Sequence, residues 1–222
     1  MMDKQQMQEF IARRVARELQ DGTLVNLGIG LPTLVANFVP EGRDVTFQSE
    51  NGFIGVGPAP TEDQVDPCIA NAGAMPVTIL PGGSFFDSAM SFGIIRGGHV
   101  DVTVLGALQV AENGDIANYM IPGKMVPGMG GAMDLTTGAR VVIAATLHFE
   151  PSGTSRLKRR CTLPLTAARE VNYVVTDLGF FEVVGDRFFL RECFAPYTPE
   201  WIQEKTDATI VVTNDCKIVN LD

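Results

Sequence analysis

The residue best suited to chemistry in this chain is Glu50, in the stretch Ser49-Glu-Asn-Gly52. It closes an apolar run, Asp44-Val-Thr-Phe-Gln48, and is followed by Asn-Gly, a pair that favours tight turns requiring positive φ. Glu50 is therefore expected on a sharp bend at the end of a strand. Such a bend can hold one reactive atom above a sheet, as the nucleophile elbow of hydrolases does. A free glutamate has a pKa of about 4.3, so an ordinary glutamate is ionised at neutral pH and needs no base to become a nucleophile. By local pattern alone the same residues also describe a hairpin turn carrying a surface glutamate.

A second candidate is Gly128-Met-Gly-Gly-Ala132, ahead of Met133-Asp-Leu135. Consecutive glycines allow backbone N–H groups to face a cleft without side chains in the way. That suits an oxyanion hole, where fixed donors stabilise developing negative charge; it also suits a plain turn. A third is Asn26-Leu-Gly28-Ile-Gly30-Leu-Pro32. It lacks the third glycine of a dinucleotide fingerprint, so its glycines are expected to permit close backbone approach to a ligand or to the Glu50 strand. Asn26, polar at the end of an apolar strand, is expected to bond a carbonyl or to cap the following helix.

Other chemistries find little support. The two histidines, His99 and His148, lie at the edges of apolar runs and read as structural. No G-x-S-x-G occurs, and nothing places a serine beside either histidine, so a Ser-His-Asp hydrolase is not indicated. Cys68, Cys161, Cys193 and Cys216 are far apart, which argues against a metal site or a disulfide framework and for a reducing cytoplasm. The formal charge of −9 argues against a nucleic-acid binder. The basic run Arg156, Lys158, Arg159 and Arg160 reads as a solvated loop face that could contact phosphates. No apolar stretch reaches the roughly 20 residues of a membrane span, and Met1 to Arg17 is too polar for a signal peptide.

The elements that must position Glu50 can be read from periodicity. With 222 residues, 45% of them hydrophobic and 19% charged, the chain can bury a substantial core. Lys4 to Gln20 predicts a helix, with Met7, Phe10, Ile11, Val15 and Leu19 at helical spacing, ended by Asp21-Gly22. Thr23 to Leu27 and Asp44 to Gln48 predict strands, with a helix over Thr33 to Phe38 that Pro32 could begin. Gly52 to Gly83 reads as irregular, with one strand near Val77 to Leu80. A helix is expected over Asp87 to Phe92, and strands covered on both faces over Val100 to Leu105 and Arg140 to Leu147. Between these two strands, Tyr119 to Asp134 reads as a long loop. Further strands fall at Val171 to Thr176, Phe181 to Val184, Arg187 to Leu190 and Thr209 to Val212, with a hairpin at Gly185-Asp186 and a helix over Pro199 to Lys205. The fold class is α/β: a single open, mixed, partly parallel sheet flanked by helices, with residues 1–222 forming one domain.

Several blocks together resemble a known family. Gln48-Ser-Glu-Asn-Gly52 with Phe53-Ile-Gly55, and Asn26 to Pro32, resemble the first class of 3-oxoacid CoA-transferases, in their β subunit or the matching half of fused enzymes. Phe86-Asp-Ser88, Ile95-Arg-Gly-Gly-His99, Val104 to Gln109, Pro122-Gly-Lys-Met125, Gly128 to Asp134 and Arg160 to Thr166 follow in the same order. The likeness implies that Glu50 is the nucleophile and that the backbone of Gly131 lies at the reacting carbonyl. It implies that Asn26 is near bound CoA, and it draws Gly28, Gly30, Asn51, Gly130 and Ala132 into the CoA- and substrate-binding set. The chain departs from some relatives at Ala74, where they carry a lysine after Asn-Ala-Gly. No metal or permanently bound cofactor is implied, coenzyme A being a substrate, and the expected partner is an α subunit in an α2β2 assembly. The implied activity is transfer of CoA between short carboxylic acids through a glutamyl-CoA thioester. The alternatives are an acyl-CoA hydrolase using the same glutamate and a non-catalytic binding subunit.

Overall fold

The computed structural model describes residues 3–123 and 128–220. The chain opens with α1 (Lys4–Ala16), β1 (Thr23–Leu27), a 3-10 helix (Leu31–Phe38), β2 (Val45–Ser49) and β3 (Phe53–Val56). It continues through β4 (Ile79–Phe85), α2 (Ser88–Arg96), β5 (Val102–Leu105), β6 (Gln109–Ala111) and β7 (Ile116–Ala117). Then come α3 (Ala132–Gly138), β8 (Val141–Ala145), β9 (Leu157–Lys158), β10 (Tyr173–Val175), β11 (Gly179–Val184), β12 (Arg187–Phe194), α4 (Pro199–Lys205) and β13 (Ile210–Val219).

Ten strands form one open sheet in the order β13-β12-β11-β10-β8-β5-β1-β2-β3-β4. Its centre, β10-β8-β5-β1-β2, is parallel. β3 and β4 extend it antiparallel at one side, and β11 and β12 at the other. This is the expected mixed, partly parallel sheet. A second sheet, β7-β6-β9, was not expected; strands of two or three residues carry no readable alternation.

Successive side chains on the central strands point to opposite faces and build two cores. On one face Val25, Val102, Val104, Ile143, Ala145 and Val175 pack with Ile11, Val15 and Leu19 of the N-terminal segment and Val35 of the 3-10 helix. On the other, Val142, Ala144, Val174 and Phe181 pack with Ile95 of α2, Leu135 of α3 and Ile202 of α4. Every residue of β5 is buried, as a strand covered on both sides must be.

Three boundaries differ from the sequence reading for visible reasons. α1 begins with a capping box between Asp3 and Gln6 but stops at Ala16 rather than Gln20. Arg43 reaches across to the Arg17 carbonyl at 3.1 Å and also bonds the Leu19 carbonyl, so the chain end of the helix is satisfied from outside. Gly52 to Gly83 is not mainly irregular, since it contains β3 and most of β4, paired antiparallel. Both strands are rich in glycine because their backbones nearly touch: a Cβ on Gly55 would lie 2.7 Å from the Gly83 Cα. The expected loop from Tyr119 to Asp134 ends in α3 from Ala132; its residues 124–127, with part of the Pro122-Gly-Lys-Met125 block, lie outside the described residues.

His148 has the expected structural place. It is fully buried, with Nδ1 3.2 Å from Thr176 Oγ1 and Nε2 2.9 Å from Thr206 Oγ1. Burial lowers its pKa from 6.5 to about 3. The four cysteines are free thiols. Among the described residues, no helix is long and apolar enough to cross a membrane.

Candidate active site

The parallel strands deliver their carboxyl ends to one edge of the sheet, the edge where open α/β sheets bind ligands. Two relevant loops leave from it: Gly28-Ile-Gly30 after β1 and Glu50 after β2. α3 runs back from the same edge towards β8, so its first residues face these loops.

The bend at Glu50 is a hairpin turn between β2 and β3, with Ser49 paired to Phe53 and the Gly52 amide donating to the Ser49 carbonyl at 3.0 Å. Gly52 has φ 130, and a Cβ there would sit 2.2 Å from the Phe86 carbonyl oxygen, so only glycine fits. The turn is fastened on several sides. The Gly52 carbonyl accepts from the Phe86 amide at 2.8 Å. Ser49 Oγ accepts from the Ala72 amide at 3.0 Å, and Asn51 Nδ2 donates to the Ala70 carbonyl at 2.8 Å. Asn51 thus ties the nucleophile turn to the 70–74 loop in this structure. Ala74, the departure from the lysine-bearing relatives, sits in that loop at φ 58.

The Glu50 carboxylate lies directly on the glycine cluster. The Gly131 amide donates to Oε1 at 2.9 Å. A Cβ on Gly131 would lie 2.8 Å from Oε2, and one on Gly130 3.2 Å from Oε1. Two segments 81 residues apart in sequence meet here because Gly131 is the N-terminal cap of α3 and neither glycine has a side chain to hold the carboxylate away. The Ala132 amide points elsewhere, donating to the Met129 carbonyl at 3.0 Å. Only one of the three backbone donors expected here therefore reaches the carboxylate.

The remaining expected residues support the site from behind. Asn26 is buried and donates through Nδ2 to Gln48 Oε1 at 2.6 Å; it caps no helix, since the 3-10 helix is capped by Gly30 without a side-chain bond. Gln48 Nε2 in turn donates to Ser91 Oγ at 3.0 Å. This buried chain joins β1, β2 and α2 two residues before Glu50. Its signal in the sequence was a polar residue, Gln48, at the end of an apolar run. Gly28 does make a close approach, but to β5 rather than to the Glu50 strand: its amide donates to the Val104 carbonyl at 2.8 Å. Gly30, with φ 87, borders open space.

The basic run 156–160 is not one solvated face. Lys158 is buried and paired with Asp207 at 2.9 Å, and Arg156 donates to the Ala107 carbonyl at 3.0 Å. Only Arg159 and Arg160 are exposed.

The family described as coenzyme A transferase matches residues 8–204. The chain belongs to that family. It is 53% identical to the beta chain of the acetate CoA-transferase of Escherichia coli K12 over 205 residues, covering 92% of this chain and 94% of the relative. It is 48% identical to a succinyl-CoA:3-ketoacid coenzyme A transferase subunit of Helicobacter pylori 26695 over 206 residues, covering 93% and 99%. Among solved structures, the apoenzyme of an acyl-CoA transferase from Escherichia coli O157:H7 matches with a TM-score of 0.76 at 22% identity. That likeness covers 99% of this chain and 44% of the solved one, and it concerns the fold. In this CoA-transferase the residues of the Ser-Glu-Asn-Gly and Gly-Met-Gly-Gly-Ala-Met-Asp blocks meet in space, which neither block discloses alone.

Proposed function

We propose that this chain is the β subunit of an enzyme that moves coenzyme A between short carboxylic acids, with Glu50 as the covalent nucleophile. The observation that carries this reading is the Glu50 carboxylate held against Gly130 and Gly131, with one oxygen bonded to a backbone N–H and the other without such a bond. A Glu50 oxygen attacks the thioester carbonyl of the donor; a C–O bond forms, the C–S bond breaks, and CoA leaves as thiolate. The thiolate attacks Cδ of Glu50 in the resulting anhydride, forming a glutamyl-CoA thioester and releasing the donor acid as carboxylate. An acceptor carboxylate repeats both steps in reverse and restores Glu50. No net proton is moved, and the kinetics are ping-pong.

The Gly131 donor suits the second step of each half-reaction. It stands on an oxygen of Glu50 itself, so it stabilises the oxyanion formed when sulfur attacks the Glu50 carbonyl. Donors of this kind contribute roughly 2.7–4 kcal/mol in acyl-transfer sites. A thiol with a pKa of about 8.5 leaves without a general acid, which fits a site that uses neither histidine. The anhydride must be kept from water, and binding of the long CoA arm supplies energy for that closure.

By the names of its relatives, the substrates are drawn from acetate, butyrate, acetoacetate and similar acids, and the partner is an α chain, in an α2β2 assembly. Coenzyme A enters and leaves as substrate, and no other cofactor is required. Four free cysteines fit a reducing cytoplasm. The test is Glu50→Gln in the α/β complex, with release of free CoA followed with and without an acid acceptor. Loss of transfer in a folded variant, and acceptor dependence in the wild type, are expected. Substantial transfer by the variant removes the assignment, and acceptor-independent CoA release by the wild type makes the protein a hydrolase.

A further inference from the structure

A cavity of about 450 Å³ lies away from Glu50, lined by Arg159, Arg160 and Arg169 together with Glu112, Asp115 and Asp186. Its place follows from the topology. Arg169 precedes β10, and Asp186 sits in the turn between β11 and β12; because β11 runs antiparallel to β10, that turn lies at the amino-terminal edge of the parallel strands. Glu50 lies beyond their carboxyl edge. The two sites are at opposite ends of the sheet.

The three carboxylates are already engaged. Glu112 accepts from the Thr209 amide at 2.7 Å, Asp115 from the Arg169 amide at 3.0 Å, and Asp186 pairs with the Arg169 guanidinium at 3.0 Å. Arg159 and Arg160 are exposed and, among the described residues, form no ion pair or side-chain hydrogen bond. Arg169 adopts φ 62, a left-handed backbone that is rare outside glycine. It is kept there by its bond to Asp115 and by the amides of Glu170 and Val171, which donate to the Gly114 carbonyl at 3.2 and 3.1 Å. Strain of this sort persists where the surroundings over-determine it, and it concentrates at ligand sites. Three guanidinium groups around one hollow, on a chain whose formal charge is −9, make a local anion trap against the overall charge.

We propose that this cavity is a second ligand site, separate from Glu50, that takes a compact phosphoryl dianion: inorganic phosphate or the phosphate monoester of a small metabolite. Guanidinium forks match tetrahedral oxyanions in geometry as well as charge. Two arginines without carboxylate partners provide the donors, and the third is fixed in place by the 113–115 turn. The hollow shape favours a small ligand over a flat protein contact.

The experiment is isothermal titration of the α/β complex with inorganic phosphate at constant ionic strength, repeated with adenosine 3′-monophosphate. Wild type, Arg159→Gln/Arg160→Gln and Glu50→Gln are compared. Saturable binding is expected in wild type and in Glu50→Gln. It should weaken at least about tenfold in the double variant, which loses two charge-assisted contacts, while its transfer rate without phosphate is unchanged. Tighter binding of the nucleotide identifies a monoester as the ligand, and equal binding identifies free phosphate. Absence of saturable heat, equal binding by the double variant, or loss of binding in Glu50→Gln would overturn the proposal. So would a crystal structure of the phosphate-soaked complex with a carboxylate of the partner chain seated among the three arginines.

Discussion

Replacing Gly131 by alanine isolates the contact on which the site is built. Gly131 has φ −84 and ψ 7, a backbone that alanine adopts without strain. The added Cβ would nevertheless lie 2.8 Å from Glu50 Oε2 and 2.9 Å from its Cδ. Ordinary contact begins near 3.4 Å, so the carboxylate must retreat by about 0.6 Å, on the scale where a 1 Å misplacement costs up to about 100-fold in rate. The retreat also stretches the 2.9 Å bond from the Gly131 amide. A fall in kcat of roughly 10- to 100-fold is expected. Because the colliding group is the end of a flexible side chain, the fold should lose no more than about 1 kcal/mol. Initial rates of CoA transfer by the α/β complex, alongside a thermal melt, measure both quantities. If kcat stayed within about twofold of wild type, the Glu50–Gly131 contact would have no part in catalysis. If the melt collapsed instead, the glycine would be serving the fold.

Gly52→Ala should do the opposite and damage the fold first. Its Cβ meets the Phe86 backbone at φ 130, a cost of roughly 2–4 kcal/mol by urea denaturation, and an unchanged midpoint would contradict the turn geometry. Gln48→Leu removes the middle of the buried chain and leaves Ser91 and Asn26 short of partners; a loss of about 1–3 kcal/mol is expected, with a lower kcat as the Glu50 turn loosens. The complex should also lose stability in mild acid through His148. Its pKa is about 3 when folded against 6.5 in a model peptide, so the unfolded chain takes up the proton first. The stabilisation is complete above about pH 6.5 and declines as pH falls towards about 3, by about 1 kcal/mol between roughly pH 7 and 5.5. Asp177, which accepts from the His148 amide and whose pKa burial raises, works in the opposite sense and blunts the decline at lower pH. His148→Gln should flatten the slope between roughly pH 7 and 5.5, and an unaltered slope would contradict the assignment.

The sequence was most legible where one local signal sufficed. Thr23 to Leu27 and Pro199 to Lys205 match β1 and α4 end to end, because each is bounded by strong turn or capping residues. The Asn-Gly pair announced a tight turn at Glu50, and Gly52 supplies its positive φ. Both the hairpin and the chemical reading were offered for that turn, and the structure makes it a hairpin whose glutamate contacts the glycine cluster. That contact could not be read from either segment alone, because it depends on the sheet order and on the direction of α3. Long-range bonds also escaped: Arg43 ends α1 from 26 residues away, and Lys158 is buried by its pairing with Asp207 although lysine in a basic run reads as exposed. The strands of the small sheet were too short to leave a pattern, and the glycines of β3 and β4 read as loop although they serve close backbone contact.

The central claim is that Glu50 carries coenzyme A covalently during turnover. The direct measurement is peptide mass mapping of the α/β complex incubated with an acyl-CoA and no acceptor acid, then quenched. The account predicts that the peptide containing Glu50 gains the mass of coenzyme A less one water, and that borohydride treatment reduces the same residue. An active complex in which that peptide remains unmodified, or in which the adduct lies on another residue, would contradict it.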